Sequence, residues 1–154
     1  MKVGIIVHSQ TGNTLDVAEK LKSVLMEKDM EVVLERIIEE DLKAAQQGKV
    51  VLKNIPDTKD YDVLIFGGPV WAFSPSFVMS KYLHELPDLK GKKIACFVTQ
   101  SFPYPWLGGN RAAKIMANHC RNKGGEVYAT GSVSYTKKGQ RRLGECIDQL
   151  CDIK

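Results

Sequence analysis

The uncharged run Ser9-Gln10-Thr11-Gly12-Asn13-Thr14 is the part of the sequence whose residue types and spacing best suit a chemical task. It lies between an apolar, strand-like run at residues 3–7 and a segment with helical periodicity. A turn in this position brings backbone N–H groups and hydroxyl donors to the positive end of a helix dipole, where phosphate groups bind well. We therefore predict that the 9–14 loop binds a phosphate.

The donors of this loop are all neutral, because it contains neither Lys nor Arg. Its hydroxyls and the Asn13 amide would bind the phosphate, together with backbone N–H groups that Gly12 allows to approach closely. The loop matches neither the G-x-x-x-x-G-K-[ST] pattern nor the G-x-G-x-x-G pattern. A helix cap alone would explain one Thr or Asn at this place, but not the whole run.

Strand and helix patterns alternate five times, which predicts an α/β fold with a doubly wound, five-stranded parallel sheet in a single domain of residues 1–154. We expect strands at residues 3–7, 31–38, 61–66, 93–99 and 126–133, the third ending at Gly67-Gly68-Pro69. We expect helices at residues 15–28, 42–47, 75–86, 109–123 and 137–151, the third with Ser74 as its cap and Pro75 at its first position. Since ligands bind beyond the carboxyl ends of parallel strands, the loops 9–14, 67–75 and 99–110 should converge.

The second and third of these loops are rich in aromatic residues, which could stack on a flat ligand or pack in the core. The residues concerned are Trp71, Phe73, Phe102, Tyr104 and Trp106. Two prolines, Pro103 and Pro105, would stiffen the third loop. His8 directly precedes the 9–14 loop, and we interpret it as a residue at the end of a strand rather than as a catalyst.

The composition, 44% hydrophobic and 26% charged, is ordinary for a globular protein. No apolar run approaches the ~20 residues of a membrane span, and the chain begins without a leader pattern, so we expect a cytoplasmic location. The four cysteines form no C-x-x-C pair and the three histidines are scattered, so we expect buried, reduced thiols and no metal site.

The net charge of +4 is unevenly distributed. Residues 1–77 hold nine Lys and Arg against 12 Asp and Glu, whereas residues 78–154 hold 13 against six. The basic excess lies at residues 111–123 and 137–142, on helix faces without interleaved aromatic residues. A solvated surface explains it better than a nucleic-acid interface does.

The 9–14 loop resembles the FMN phosphate loop of flavodoxins, [ST]-x-T-G-N-T, and it stands directly after the first strand as it does in that family. The rhythm of five strands, the length of 154 residues and the Gly-Gly-Pro after the third strand are similar as well. The uninterrupted fifth strand resembles the short-chain branch of the family. The resemblance implies a flavodoxin-like fold, the sheet order 2-1-3-4-5, and FMN as a non-covalently bound cofactor.

The resemblance also implies which residues bind FMN, and it implies neither catalytic residues nor metal ligands. The phosphate would lie against Ser9, Gln10, Thr11, Gly12, Asn13 and Thr14. One side of the isoalloxazine ring would lie against Pro69, Val70, Trp71, Ala72 and Phe73, with Trp71 the best candidate for aromatic contact. The pyrimidine edge and the other ring face would lie against Thr99, Gln100, Ser101, Phe102, Trp106, Gly108 and Gly109.

Three functions remain open at this point: an FMN-binding electron carrier, an FMN-dependent NAD(P)H oxidoreductase acting on quinones or similar small acceptors, and a binding module without flavin. The intact phosphate loop disfavours the third, and the short loops favour the carrier. Unlike acidic electron-transfer flavodoxins, this chain has no acidic run in loops 67–75 or 99–110. We expect redox partner proteins, which the basic excess would suit if they are acidic, no nucleic-acid or membrane partner, and a monomer or weak homodimer.

Overall fold

The computed structural model describes residues 1–101, 108–134 and 142–153. In chain order its elements are β1 (Lys2–Val7), α1 (Asn13–Glu27), β2 (Glu31–Arg36), β3 (Ile38–Glu39), α2 (Leu42–Gln46), β4 (Leu52–Asn54), β5 (Val63–Trp71), β6 (Ser74–Pro75), α3 (Phe77–His84), β7 (Lys93–Gln100), α4 (Gly109–Asn122), β8 (Glu126–Ser134) and α5 (Leu143–Cys151). None of the helices in the described parts of the chain is both long and apolar enough to span a membrane.

Five parallel strands form the central sheet in the order β2-β1-β5-β7-β8. Counted along the chain, these are strands 2-1-3-4-5, so the predicted fold class and sheet order are confirmed. The apolar run of β1 is buried on both faces because it lies between β2 and β5 and under helices on either side.

Alternate side chains of the strands enter two apolar layers, one on each face of the sheet. One layer joins Ile6 and Phe66 to residues of α3 and α4 such as Met79 and Met116. The other joins Ile5, Val7 and Phe97 to α1 and α5, whose buried residues include Leu21, Leu25 and Leu150. Burying a Leu or Phe side chain in this way stabilises a fold by about 1.5–3 kcal/mol, so these layers hold both helix pairs on the sheet.

The strand β5 runs through Gly67-Gly68-Pro69, where the sequence predicted its end. Gly67 lies against the Phe97 ring of β7, and a Cβ at Gly67 would stand 2.1 Å from Phe97 Cζ, so only glycine fits. Pro69 pairs with Thr99 on the β7 side, whereas β1 ends opposite Gly67 on the other side. On that side the Ser76 N–H donates to the Pro69 carbonyl oxygen at 2.9 Å. Because β1 has already ended, the missing N–H of Pro69 interrupts no bond to β1.

The second strand is shorter than predicted, since β2 ends at Arg36 rather than at residue 38. Its partner β1 ends at Val7, directly opposite Arg36. After the Ile37 N–H has donated to the Val7 carbonyl oxygen at 2.8 Å, β1 offers no residue for Ile38 to pair with. Ile38 and Glu39 instead form β3, which pairs antiparallel with β4. The short helix expected at 42–47 is present as α2, with Asp41 as its N-cap.

The third helix begins two residues later than predicted, at Phe77. Ser76 is its N-cap, accepting a hydrogen bond from the Met79 N–H at 3.1 Å. Ser74 and Pro75 form β6, which folds back on the end of β5. The local Ser-Pro signal was overridden by this hairpin.

The remaining predictions fall close to the observed elements. Helix α4 and strands β7 and β8 match the expected ranges to within one residue at each end. Helix α5 begins at Leu143 in the described part of the chain, and the expectation for residues 137–141 lies outside the described residues. All four cysteine side chains are buried, as predicted.

Candidate functional site

The carboxyl ends of β1, β5 and β7 lie side by side at one edge of the sheet, so the loops that follow them are neighbours. Helix α1 begins immediately beyond β1, and the β5–β6 hairpin extends beyond β5. Helix α4 begins at Gly109, a few residues after β7. The edge thus collects the start of two helices and the tip of one hairpin. The meeting of the loops after these strands agrees with the prediction, whereas the hairpin was not predicted.

The N-terminus of α1 has the geometry of an anion site. Gly12 is the N-cap with φ +93°, a left-handed conformation that a residue with a Cβ rarely adopts, and no side chain caps the helix. The only side-chain acceptor for a first-turn N–H is Ser9 Oγ, which lies 3.3 Å from Leu15 N within the described structure. Among the described residues, the N–H groups of positions 11–14 have no partner, so they are available for an anion.

The side chains of the 9–14 loop divide into a buried part and an exposed part. Gln10 and Thr11 are exposed, and Asn13 Nδ2 donates to Thr11 Oγ1 at 3.0 Å. The Thr14 side chain is buried, and its hydroxyl lies 2.8 Å from the hydroxyl of Thr99 at the end of β7. The first and third predicted binding loops therefore meet through a pair of hydroxyl groups.

The β5–β6 hairpin forms the second wall of the edge. Trp71 pairs with Ser74 across a two-residue turn, Ala72-Phe73, whose φ angles are +48° and +66°. Two successive positive φ angles define a type I′ turn, which normally contains Asn or Gly. A left-handed conformation costs a residue with a side chain about 1–2 kcal/mol, so this turn is strained at a position facing the predicted site.

Trp71 joins the hairpin to the 9–14 loop. Its Nε1 donates to Gln10 Oε1 at 3.0 Å. Its ring also makes edge contacts with His8, at 5.7 Å between centroids, and with Phe77, at 5.6 Å. The two loops predicted to bind the phosphate and the flat part of one ligand thus lie in direct contact.

His8 is a buried structural link, consistent with its interpretation as a strand-end residue. Its Nε2 lies 3.1 Å from Glu39 Oε2, and its Nδ1 lies 2.8 Å from Ser76 Oγ. Because a carboxylate only accepts, Nε2 carries the proton and Nδ1 accepts from the Ser76 hydroxyl. Burial lowers the pKa of His8, the Glu39 carboxylate opposes this shift, and the charge of Arg36 adds to it. The imidazole therefore joins β1, β3 and the start of α3 in its neutral form.

The third loop is described only at its two ends. Thr99 and Gln100 are buried and Ser101 is exposed, whereas Phe102 and Trp106 lie outside the described residues, as does Tyr104. Phe73 of the hairpin lies against Gly108, with its Cδ1 2.6 Å from the place a Cβ of Gly108 would take. Gly109 lies beside Gln100 and Ser132. The structure thus brings the second and third loops together at Phe73 and Gly108.

Arg36 is a residue near this site that the sequence analysis did not single out. It ends β2 beside Val7, the last residue of β1, and its Nη2 donates to the Ser9 carbonyl oxygen at 3.3 Å. The predicted sheet order contained the signal for it, because a residue at the end of β2 must stand next to the loop that follows β1. Arg36 lies outside the 9–14 loop in the sequence, so the residues of the loop alone do not indicate it.

Comparison with known proteins shows which family the sequence and the fold match. The sequence model of the family described as Flavodoxin matches residues 5–146. Oxidised flavodoxin 2 from Bacillus cereus superposes with a TM-score of 0.73 at 22% identity, over 98% of this chain and 97% of that one. Oxidised flavodoxin 1 from the same organism gives 0.70 at 20% identity, over 100% of both chains.

A third solved structure is a flavoprotein in complex with FMN from Lactobacillus acidophilus NCFM. It superposes with a TM-score of 0.62 at 19% identity, over 94% of this chain and 97% of that one. At these identities the structural likeness establishes the fold, and the match to the family model extends over most of the sequence.

Proposed function

The chain belongs to the flavodoxin family, and from this premise we propose that it is an electron carrier that works through one non-covalently bound FMN. The observation that carries the proposal is the hydrogen bond from Trp71 Nε1 to Gln10 Oε1 at 3.0 Å. It holds the aromatic side chain of Trp71 next to the 9–14 loop, the proposed phosphate cradle. FMN needs both, because it has a flat ring and a terminal phosphate. The L. acidophilus flavoprotein bound to FMN is a relative of the same fold.

The residues at the sheet edge fit the phosphate end of FMN. The free N–H groups at positions 11–14, within the described structure, lie at the positive end of α1. They can donate to a terminal phosphate together with the hydroxyl of Thr11 and the amide of Asn13. Such a cradle holds a mononucleotide by its end and leaves the rest of the molecule to the neighbouring loops.

The residues that follow β5 and β7 fit the ring. The hairpin residues Pro69, Val70, Trp71, Ala72 and Phe73 would form one wall, and Thr99, Gln100, Ser101, Gly108 and Gly109 would form the other. Phe102 and Trp106 complete the proposed set from outside the described residues. Bound FMN supplies reversible electron transfer at its ring, and these residues position the ring, exclude water from its faces and offer backbone groups to its edge.

An electron carrier needs no pocket for a second substrate above the ring. The hairpin has a turn of only two residues, Ala72 and Phe73, and adds no segment that could enclose a second planar molecule. This favours the carrier over an FMN-dependent NAD(P)H oxidoreductase. We propose that the partners are redox proteins and that the protein works in the cytoplasm.

The test is to load the protein with FMN and to mix it with NADH or NADPH while flavin absorbance is followed. We expect one FMN per chain, no direct bleaching by either nucleotide, and rapid reduction once an NAD(P)H-dependent flavoprotein reductase is added. Direct bleaching followed by turnover with a quinone would replace the carrier by the oxidoreductase. Failure to bind FMN would overturn both functions.

A further inference from the structure

We propose that Arg36 gives the phosphate cradle its positive charge and makes it select a phosphorylated flavin over an unphosphorylated one. The inference rests on the proposed function and concerns the same site. Its starting observation is the hydrogen bond of 3.3 Å from Arg36 Nη2 to the Ser9 carbonyl oxygen. Every residue of the 9–14 loop is uncharged, so a cation at its border changes the electrostatics of the whole cradle.

The position of Arg36 is determined by the backbone. The parallel register places it opposite Val7, and its neighbour Ile37 donates its N–H to the Val7 carbonyl at 2.8 Å. The Asn54 side chain of β4 donates to the Arg36 carbonyl and ties this strand end to the small antiparallel sheet. Arg36 therefore stands at the level of the phosphate loop because of the sheet register, and not through a flexible contact.

The charge of Arg36 is not neutralised by its neighbours. Glu35 points to the opposite face of β2, where it accepts from the Tyr61 hydroxyl at 2.6 Å. The Glu39 carboxylate is engaged with His8, with its Oε2 3.1 Å from His8 Nε2. No ion pair involves Arg36 among the residues that the structure describes. A guanidinium has five N–H donors, and the described contacts of Arg36 use one of them.

The contact with Ser9 also orients the loop. In a planar trans peptide the C=O and the following N–H point in opposite directions. Because Arg36 holds the Ser9 carbonyl on the β2 side, the N–H of Gln10 points away from β2. Arg36 thus holds the Ser9 carbonyl oxygen, which would repel an anion, away from the cradle. The same contact determines the direction of the Gln10 N–H. It is a binding and positioning residue, and it takes no part in electron transfer.

The experiment compares three variants of the apo-protein: Arg36→Gln, Arg36→Lys and, as a matched control, Arg121→Gln. Arg121→Gln removes the same charge. Arg121 is exposed and lies near the end of α4, remote from the carboxyl edge of the sheet. Dissociation constants for FMN and for riboflavin, which lacks the phosphate, are measured by flavin fluorescence at low and at high salt. The midpoint of thermal unfolding is measured with and without inorganic phosphate.

We expect Arg36→Gln to weaken FMN binding about tenfold at low salt and less at high salt, because screening weakens an exposed charge. Riboflavin binding should stay within about twofold, because only the phosphate senses this charge. Arg36→Lys should keep most of the FMN affinity, and Arg121→Gln all of it. Inorganic phosphate should raise the unfolding midpoint of the wild-type protein more than that of Arg36→Gln.

Two results would overturn the role of Arg36 while leaving the proposed function intact: FMN affinity in Arg36→Gln equal to that in Arg121→Gln, or an equal loss of FMN and riboflavin affinity. The second would mean that Arg36 supports the loop as a whole. A wild-type protein that binds neither flavin would overturn the proposed function, and with it this inference. If Arg36→Gln does not fold, Arg36→Lys replaces it in the comparison. Stabilisation of this variant by inorganic phosphate to the wild-type extent supports the role of the charge, and loss of that stabilisation contradicts it.

Discussion

Trp71 Nε1 and Gln10 Oε1 are joined by a hydrogen bond of 3.0 Å between residues 61 positions apart in the chain. It links the hairpin after β5 to the loop after β1 at the edge where ligands of parallel sheets bind. Since the same indole ring meets His8 and Phe77 edge-on, its orientation is defined from three sides.

Replacing Trp71 should change the optical properties of a bound flavin. Trp71→Ala removes the aromatic wall, so the flavin absorption envelope and the redox potential should both shift. Trp71→Phe keeps a ring but loses the donor to Gln10, so its effect should be smaller. Absorption spectra and potentiometric titration of the loaded variants provide the measurement. Spectra and potentials equal to those of the wild-type protein in both variants would remove Trp71 from the site.

Removing a donor from the phosphate cradle should weaken FMN binding specifically. Thr11→Ala or Asn13→Ala should each cost about 1–3 kcal/mol of binding free energy, because the phosphate loses a hydrogen bond. Riboflavin affinity is the control, since it should remain unchanged. Flavin fluorescence titration measures both. Unchanged FMN affinity in both variants would mean that the phosphate lies elsewhere.

The strained turn should be a place where glycine stabilises the protein. Ala72 has φ +48°, and Ala72→Gly should raise the free energy of unfolding by about 0.5–1 kcal/mol, because glycine adopts this conformation without a Cβ clash. Ala44→Gly in α2 is the matched control and should lower it by about 1 kcal/mol. Urea unfolding of the apo-protein measures both changes. A loss of stability in Ala72→Gly would show that the turn carries no strain.

The buried His8 should make the protein less stable in mild acid. Burial lowers its pKa below the ordinary value of 6.5, so the unfolded chain binds more protons than the folded one once the pH falls below that value. Its contribution is therefore complete above about pH 6.5 and is lost as the pH falls toward the folded-state pKa.

Urea unfolding at a series of pH values tests this prediction on the apo-protein. His8→Gln should show a weaker loss of stability below about pH 6.5 than the wild-type protein does. His119 is a necessary comparison, because burial lowers its pKa as well, followed by the charges of His84 and Lys123. His119→Gln should remove a separate part of the pH dependence. An identical pH profile in His8→Gln and in the wild-type protein would contradict the role given to His8.

The close approach of Gly67 to Phe97 should make Gly67→Ala one of the most damaging single changes in the sheet. A Cβ there would stand 2.1 Å from Phe97 Cζ, so we expect a loss of about 3 kcal/mol of unfolding free energy. In a Phe97→Leu background the same change should cost much less, because the ring tip is gone. The coupling energy of this double-mutant cycle is the measurement. Additive effects would contradict a direct clash.

Apolar periodicity was sufficient to predict the order and the type of the main elements. The runs around Ile5, Ile65 and Phe97 are apolar without interruption because these strands are covered on both faces, and such runs are visible in a single sequence. The helices α1, α3 and α4 were expected close to where they lie because their apolar residues recur at helical spacing. The 9–14 loop stood out as a candidate phosphate site because its polar residues are consecutive.

The ends of the elements depended on neighbours that a local pattern does not contain. Gly67-Gly68-Pro69 has the composition of a strand end, yet Phe97 across the sheet and the early end of β1 allow β5 to continue. Ser74-Pro75 has the composition of a helix start, yet the turn at Ala72 pairs it with β5. Arg36 acquires its place at the 9–14 loop only through the register with β1.

The hydroxyl pair of Thr14 and Thr99, 2.8 Å apart and buried, imposes a rule of direction on the two loops that it joins. Each hydroxyl has one hydrogen, so only one member of the pair can donate to the other. If Thr14 turns its hydrogen toward an anion at the start of α1, Thr99 must donate to Thr14. Thr99 can then only accept from whatever lies on its other side. What binds at the first loop therefore determines whether the Thr99 hydroxyl, at the start of the third loop, is free to donate a hydrogen bond.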